Sequence, residues 1–488
     1  MEGYVPKMEE ELELSEKIEQ LTETIEQLID SKNVKELRHL FEVVPEIDLA
    51  EACADFEDVG KIVFILKTVK SEFTAEFFTE LPPEVKEEII KYLSDDQLAE
   101  ILESQFTDDI VDDLEELPAN VVTRVLRNVP KEKRANINRL LNYADDSAGS
   151  IMTTEFVALL DDMSCDDAIK EIRKTGKNKE TIYTVFVMDR KRNLVGTVDL
   201  DDLIFADGDS KLKEIMNKDF QTVNVNDDQE QVANVVKRYD LNAVAVLNND
   251  GRLVGIVTVD DVMDVIEEEQ TEDISKLQMV TPLEDSYLET SAFQMVKKCV
   301  PWIIVLLILG TFSSFVLSSF ETKLAQLVIL SAFIPVIMDT GGNAGGQTIA
   351  LMIRGLALQE FTPRDFFKII RKEALSAAII AVCIAAFGFI WFTLEQYFGI
   401  VGNGANIWTG DCWTAEFTAA TLKTSGLVAG TLGIAIFMSK MVAVLLPMGA
   451  AAIKKDPAIV SQPLLTTIVD VSSLLIYFGF AALLFNLQ

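Results

Sequence analysis

One carboxylate lies inside an apolar segment near the end of the chain. This is Asp470, within SQPLLTTIVDVSSLLIYF. A charge at membrane depth is costly and marks a functional group by default. The hydroxyls around it could line a passage with oxygen. The chain has a single histidine, far from this segment, which argues against a pathway for a soft metal and favours a hard cation held by oxygen. A proton relay and a buried ion pair are the alternatives, with Lys440 the other charge in the last two spans.

A second apolar run, Phe333 to Gln359, also carries polar side chains, among them Asp339 and Asn343. In a membrane these groups should face protein or water. The run contains four glycines at spacings of four, which would let another helix approach closely: Gly341, Gly342, Gly345 and Gly346. Tight helix packing alone is the simpler explanation, and a lined polar pathway is the favoured one.

A third acidic group precedes these segments. Asp260 to Asp273, DDVMDVIEEEQTED, has eight acids in fourteen residues. On a helix, Asp261, Asp264 and Glu268 share one face and repel one another unless a cation lies among them. A solvated acidic helix end is the alternative. Cation sensing is favoured because the group stands directly before the apolar half of the chain.

Charge divides the 488 residues into two halves, and this length predicts more than one domain. Residues 297–488 hold 12 basic and 10 acidic side chains, whereas the first 296 residues hold 31 and 68. A strongly acidic surface repels nucleic acid and attracts cations. Scattered cysteines and a single histidine exclude a zinc site, a histidine-based triad and a disulfide framework, and no nucleophile and base cluster as in an enzyme.

The first 147 residues are predicted to be helical throughout. Apolar helix ends followed by proline, serine or threonine recur every 11 to 13 residues, at Leu81-Pro82, Leu93-Ser94, Phe106-Thr107, Leu117-Pro118 and Val129-Pro130. Ser94 and Gln97 fit a capping box. The period predicts a stack of short helices in a small solenoid-like superhelix. For its paired aspartates, compensation of the helix dipole is an alternative to ligand binding.

Residues 148–270 contain a repeat. LVGTVDLDDL at 194–203 is echoed by LVGIVTVDDV at 253–262, and the Ile-Met dipeptides ending at Met152 and Met216 precede the two copies. Two β-β-α units of this size should pair about a pseudo-twofold axis to bury a core. The pattern resembles a CBS-domain pair.

Residues 271–298 read as an amphipathic connecting helix interrupted by Pro282, and residues 299–488 as a membrane domain. Five apolar spans are predicted there, at Val300 to Phe320, Leu324 to Ile353, Ala374 to Leu394, Ser425 to Ile453 and Pro463 to Phe485. Basic loops put the amino terminus in the cytoplasm and the carboxyl terminus outside. The polar first 20 residues predict no cleavable signal peptide. Five helices are few for a closed pore, which favours a homodimer.

The longest motifs resemble the MgtE-type magnesium transporter family. They are YADDSAGSIMTTEF at 143–156, GIVTVDDVMDVIEEEQTED at 255–273, GGNAGGQ at 341–347 and KKDPAIVSQPLLTTIVD at 454–470. The resemblance implies a multidomain membrane protein: an all-α superhelix, an α/β CBS pair and five α-helical transmembrane spans. It implies a homodimeric, channel-like Mg²⁺ transporter in the cell membrane, with no enzymatic activity.

The resemblance also implies site residues. Asp470 would be the pore aspartate that binds the hydrated ion, with Asn343 lining the pore and Asp456 at its cytoplasmic mouth. The implied magnesium sensor comprises Asp108, Asp112, Asp228, Glu230, Asp240, Asp261, Asp264, Glu269, Glu272 and Asp273.

Mg²⁺ prefers octahedral oxygen ligands and dehydrates reluctantly, so one carboxylate can hold it through its water shell. In the cytosol, bound Mg²⁺ would offset repulsion between acidic faces and stabilise a closed state, with several weak sites acting together. CBS pairs often accept an adenine nucleotide, which the resemblance implies for the cleft here. The rival hypothesis is a Na⁺- or H⁺-coupled divalent cation exchanger that uses Asp339 as a second intramembrane acid.

Overall fold

A computed structural model describes residues 4–54, 56, 58–69, 71–283, 287, 290–320, 328–401, 414–457 and 462–485. The chain divides into two compact units, an N-terminal unit of residues 1–267 and a C-terminal unit of residues 268–488. Each unit is described by itself.

Short helices fill the first part of the N-terminal unit. Among the described residues they are α1 Tyr4–Asp30, α2 Val34–Leu40, α3 Glu46–Ala54, α4 Val59–Thr68, α5 Ser71–Thr79, α6 Pro83–Tyr92, α7 Asp95–Ser104, α8 Thr107–Glu116, α9 Ala119–Asn128 and α10 Lys131–Leu140. From α3 onward a helix packs chiefly on the helix two positions further along, as in α3 with α5, α5 with α7 and α8 with α10. This confirms the predicted superhelix of stacked short helices.

The helix starts follow the predicted period, and Ser94 with Gln97 forms the capping box of α7. The prediction was wrong in one detail at α8. There Phe106 is the N-cap residue and Thr107 is already helical. The Thr107 hydroxyl donates to the Glu155 carboxylate instead of capping the helix. The helix starts one residue earlier than predicted, so Thr107 is not in the capping position, and its hydroxyl instead makes a charge-assisted hydrogen bond.

The rest of the N-terminal unit holds two three-stranded sheets. The strands are β1 Ala158–Leu160, β2 Thr184–Met188, β3 Leu194–Asp199, β4 Thr222–Asn224, β5 Ala243–Leu247 and β6 Leu253–Thr258. In each sheet the first strand runs parallel to the second, and the second antiparallel to the third. The helices are α11 Cys165–Thr175, α12 Leu200–Phe205, α13 Leu212–Ile215, α14 Gln229–Tyr239 and α15 Val259–Leu277. The repeat motif covered the antiparallel pair and missed the short parallel strand.

The two repeats exchange methionines. Met152, ahead of the first repeat, packs on Gly255 in β6, and Met216, ahead of the second, packs on Gly196 in β3. A Cβ atom at Gly255 would lie 2.6 Å from the Met152 Sδ atom, and one at Gly196 would lie 2.7 Å from the Met216 Sδ atom. A side chain at either glycine would collide with the methionine of the other repeat. The two repeats are therefore in direct contact, as predicted.

The C-terminal unit contains long apolar helices. They are α16 Ala292–Ser319, α17 Ile334–Ala357, α18 Phe366–Tyr397, α19 Ala415–Ala452 and α20 Gln462–Phe485. With short 3₁₀ turns ahead of α17 and α18, the described residues contain five candidate membrane spans. This confirms the predicted number of spans; the predicted start of the second span, Leu324, lies outside the described residues.

The segment predicted as a connecting helix interrupted by Pro282 has helical ends and a non-helical stretch that includes Pro282. α15 ends at Leu277, and the next long helix begins after the Ser291 cap. The residues described from 278 to 283, which include Pro282, are not helical. Proline lacks an amide donor and disfavours helix in the residue before it, which accounts for a break at this place.

Candidate functional site

A cavity that contains several polar side chains within a mainly apolar lining opens between two helices of the C-terminal unit. Asp339 and Asn343 of α17 line it together with Thr466 and Asp470 of α20, and its volume is about 450 Å³. Asp470 is half-buried, whereas Asp339 and Asn343 are exposed in the single chain. The structure therefore brings together the residues that sequence analysis singled out in two distant segments.

Glycines of α17 place the two helices this close. A Cβ atom at Gly341 would lie 3.1 Å from Val469, and one at Gly342 would lie 3.0 Å from Thr466. At Gly345 the nearest group is the hydroxyl of Ser439 in α19. The prediction that the paired glycines permit close helix approach is confirmed. Close packing and the cavity occur together on α17, so the first is not an alternative to the second.

The polar residues of α17 form one exposed stripe. Asp339, Asn343 and Gln347 follow one another at intervals of four residues, so they lie on one face of the helix. All three are exposed in the single chain. Such a face does not suit lipid, where polar groups need a protein or water neighbour.

A second group of acids lies at the start of the C-terminal unit. The Lys276 ammonium is 2.7 Å from a carboxylate oxygen of Asp456 and 2.7 Å from one of Glu272. Burial, followed by repulsion from Asp456, raises the pKa of Asp273. Three sequence-predicted ligands, Glu272, Asp273 and Asp456, therefore gather around a lysine that sequence analysis did not single out.

The third site lies in the N-terminal unit, and α8 carries it. A buried salt bridge of 2.5 Å joins Lys86 of α6 to Asp113, and the Gln105 amide donates to the same carboxylate. These bonds fix α8 against the preceding helices. They leave Asp108 and Asp109 to interact with Glu180 and Asp261 from the CBS repeats.

We refer to Asp108, Asp109, Glu180 and Asp261 as the carboxylate cluster. Burial and then repulsion from Asp113 raise the pKa of Asp109 to about 6. Burial, then Asp109 and Asp261, raise the pKa of Glu180 to about 8. Burial also raises the pKa of Asp261, although the Thr258 hydroxyl donates to it. The ionised cluster is thus costly in the absence of a compensating cation.

Asp108 is the most deeply buried member of the carboxylate cluster. It is only 8% exposed. Among the described residues, its Oδ1 atom is buried without a hydrogen-bond partner. The ammonium of nearby Lys133 donates to backbone oxygens of Leu102 and Gln105 at the end of α7. Buried carboxylate oxygens with no histidine or thiol among them suit Mg²⁺ or Ca²⁺ rather than a soft metal.

The remaining predicted ligands do not gather in one place. Asp228 caps the start of α14 by accepting from the amide of Glu230, whereas Asp240 follows its end with a left-handed φ of 49°. Asp112 has an exposed surface on α8 but lies beside the carboxylate cluster, where desolvation and then repulsion from Asp109, Glu115 and Asp261 raise its pKa to about 7. Asp264 is exposed on α15. For Glu269 the site assignment stays a prediction.

Sequence analysis missed two members of the cluster. Asp109 belongs to an acidic pair that was noted, but only its neighbour Asp108 was selected. Glu180 stands in a loop after α11 and in no motif, so no local signal could have found it. Its proximity to α8 follows from packing alone.

Comparisons with known proteins match most of the chain. The MgtE divalent cation transporter model matches residues 334–480, the MgtE intracellular N domain matches 44–146, and CBS domains match 148–209 and 212–268. The chain is 33% identical to the magnesium transporter MgtE of Thermus thermophilus over 470 residues, which is 96% of this chain and 99% of that one. It is 34% identical to MgtE of Enterococcus faecalis over 352 residues, 72% of each chain.

Among solved structures, the soluble part of a magnesium transporter matches with a TM-score of 0.49 and 31% identity, over 52% of this chain and 99% of that one. The cytosolic domain of the Mg²⁺ channel MgtE in complex with ATP matches with a TM-score of 0.47 and 34% identity, over 50% and 99%. The conclusion rests on the sequence comparison: 33% identity to the Thermus thermophilus transporter extends over 96% of this chain. This confirms the resemblance found in the motifs, and the chain belongs to the MgtE family of magnesium transporters.

Proposed function

We propose that this protein carries Mg²⁺ across the membrane through the cavity at Asp470, and that Mg²⁺ bound in the cytosolic half closes the route. The observation that carries the proposal is the shared cavity. Two carboxylates, an amide and a hydroxyl converge between helices that are otherwise apolar. A set of oxygen ligands of this size can hold an ion that keeps most of its water.

The exposed stripe of α17 supports a dimeric route. A second copy of the chain, placed across a twofold axis, would supply the polar neighbour that Asp339, Asn343 and Gln347 require in a membrane. The pathway would then lie between two copies of the same stripe. The amino-terminal half would face the cytoplasm, because the predicted cytoplasmic loops carry the basic residues, and the carboxyl terminus would lie outside.

The carboxylate cluster supports the gating part of the proposal. Ionised Asp108, Asp109, Glu180 and Asp261 repel one another, and a divalent ion among them would offset that repulsion. Mg²⁺ would thereby stabilise the arrangement in which α8 lies against the CBS repeats. Asp456, Glu272 and Asp273 would respond in the same way in the C-terminal unit. A ligand shifts such an equilibrium only by its difference in affinity for the two states.

Coupled exchange is a second candidate, favoured by one observation. Asp339 lines the same cavity as Asp470, so two acids could bind a cation and a proton alternately. Uptake through a channel-like route should increase with an inside-negative potential and proceed without a Na⁺ or H⁺ gradient. A coupled exchanger should require the gradient.

The test is Mg²⁺ uptake into proteoliposomes by the wild type, Asp470→Ala and a matched control, Ser472→Ala. Losing a charged partner at a buried site costs about 2–5 kcal/mol, so we expect Asp470→Ala to reduce uptake by about 30-fold or more. Ser472 is half-buried two residues further along α20, is not among the residues that line the cavity, and donates to the backbone oxygen of Ile468. Its variant should transport normally. Unchanged uptake by Asp470→Ala would contradict the proposed route.

An adenine nucleotide in the CBS cleft remains a prediction. If it binds there, ATP should change the Mg²⁺ concentration at which the cytosolic half becomes protected from protease. Equal protection curves with and without ATP would remove it from the mechanism.

A further inference from the structure

A lysine is buried in the middle of the longest membrane helix. Lys440 of α19 is 5% exposed, and its ammonium is 2.7 Å from the Oε1 atom of Glu373 in α18. It also donates to the hydroxyl of Thr348 in α17, which in turn donates to Glu373 at 3.0 Å. Three membrane helices thus meet in one polar group, which we call the ion-pair anchor: Thr348, Glu373 and Lys440.

The residue before Lys440 holds the same helix at a second point. The Ser439 hydroxyl donates to the backbone oxygen of Gly341 at 2.7 Å and contacts Gly345. Gly341 and Thr348 are seven residues apart, which is about two helical turns along one face of α17. Two consecutive residues of α19 therefore fix both the rotation and the axial position of α17.

The helix held in this way carries the polar stripe. Asp339 and Asn343 face the cavity with Asp470, and Gln347 immediately precedes the anchored Thr348. A rotation of α17 by one residue would carry Asn343 about 100° around the helix axis and away from Asp470. The alignment of the cavity groups therefore depends on what prevents that rotation.

Stability alone is a poor reason for such an anchor. Removing two charges from water costs several kcal/mol per ion, and replacing a buried pair with apolar groups is often neutral or stabilising. Removing one partner, by contrast, leaves an uncompensated charge. In this protein an unpaired Lys440 would also leave a positive charge against Thr348, five residues along α17 from Asn343 of the cavity, where it would weaken cation binding.

We propose that Glu373 and Lys440, together with Thr348, are positioning residues for ion transport: they hold α17 at the rotation where Asp339 and Asn343 face Asp470, and Glu373 neutralises Lys440. The inference rests on the proposed function, because the groups it positions are those of the proposed route.

The test is a double-mutant cycle in proteoliposomes with Glu373→Gln, Lys440→Met and the double variant. Lys423→Met is the matched control, since it removes an exposed lysine from the same helix. For each variant, folded protein is quantified by size-exclusion chromatography, and both the maximal Mg²⁺ flux and the half-saturating Mg²⁺ concentration are measured per folded molecule.

We expect Glu373→Gln to reduce maximal flux by about tenfold or more and to raise the half-saturating concentration, because an unpaired buried charge is strongly unfavourable. Lys440→Met should also shift the half-saturating concentration. The double variant should recover folded protein but keep that shift, since charge balance returns without the hydrogen bond from Lys440 to Thr348.

Two results would overturn the inference. One is wild-type flux and half-saturation in both single variants. The other is a loss of folded protein with unchanged half-saturation per folded molecule, which would make the anchor a folding element only. Asp470→Ala in the same preparation separates the two ideas. If Asp470→Ala transports Mg²⁺ normally, the proposed route is wrong. If Asp470→Ala loses transport while the anchor variants transport normally, only the inference about the anchor is wrong.

Discussion

The two CBS repeats carry the same acidic pair at the same place but in different surroundings. Asp201-Asp202 in the first repeat and Asp260-Asp261 in the second occur at the start of the helix that follows the third strand. In the first repeat Asp199, Asp201 and Asp202 are exposed, with carboxylate oxygens within 4.8 Å of one another. In the second, Asp261 is half-buried and interacts with Asp108 and Asp109 of α8.

The comparison shows that the acidic motif does not make the site by itself. Water screens an exposed trio of carboxylates, so the trio needs no ion to remain folded. Burial against a second acidic element turns the same residues into a group whose charges need compensation. The helix α8, rather than the motif, is what distinguishes the two repeats.

The largest expected effect comes from neutralising the corresponding aspartate in each repeat. We expect Asp261→Asn to lose most of the protection of α8 and α15 that Mg²⁺ confers, because a shared ligand is gone. Asp202→Asn should keep it. Hydrogen exchange of the full chain, with and without Mg²⁺, measures both. Equal Mg²⁺ responses in the two variants would mean that the cluster around α8 is not the sensor.

A smaller effect should follow from pH in the absence of divalent ions. The pKa of Asp109 is raised from 3.8 to about 6 and that of Glu180 from 4.5 to about 8. The folded protein therefore keeps protons that the unfolded chain has released. The stability of α8 against the CBS repeats should fall as pH rises from about 4 to about 8 and then level off.

Mg²⁺ at pH 8 should reverse that loss, since it replaces the missing protons as the compensating charge. The neighbouring charges that modulate the titration are those of Asp113, Lys86, Glu155 and Asp260. Hydrogen exchange in chelator at several pH values measures the trend. A stability that is constant or rises over this range would contradict it.

The smallest expected effect concerns one cluster member alone. Asp109→Asn should stabilise the metal-free protein by about 1–3 kcal/mol, the free energy equivalent of its raised pKa. It should also reduce the further stabilisation by Mg²⁺. Asp96→Asn is the matched control, because Asp96 is exposed in the first turn of α7. Its loss should cost a few tenths of a kcal/mol through the helix dipole. Equal changes in the denaturant midpoint of Asp109→Asn and Asp96→Asn would refute the assignment of Asp109 to the carboxylate cluster.

Features set by neighbours in the chain could be predicted from the sequence. The five spans follow from hydropathy, the close approach of another helix to α17 from glycine spacing, and the paired repeats from their motif. These signals are local and periodic, so packing does not overwrite them. Asp470 could be selected for the same reason, because a single charged residue stands out in an apolar segment, where burying a charge is unfavourable.

Features set by distant partners could not be predicted. Glu180 joins the cluster from a loop without a motif, and Lys276 lies 180 residues from Asp456 in the chain. Glu373 carries no motif and was not selected from the sequence, yet it is the partner of buried Lys440. The assignment of Thr107 as a cap failed because Phe106 takes the N-cap position, and the Thr107 hydroxyl donates to Glu155, 48 residues away. In each case the partner of the residue lies far away in the chain, so only the tertiary structure shows which group it contacts.

The exchange of Met152 and Met216 between the repeats has a consequence for how the chain is made. Gly255 receives its covering methionine from a segment synthesised about a hundred residues earlier, and Gly196 receives its own only after translation has passed Met216. The first repeat therefore leaves the ribosome with a gap on its sheet that its own residues do not fill. The gap closes when the start of the second repeat emerges, and the two copies mature as one cooperative folding unit.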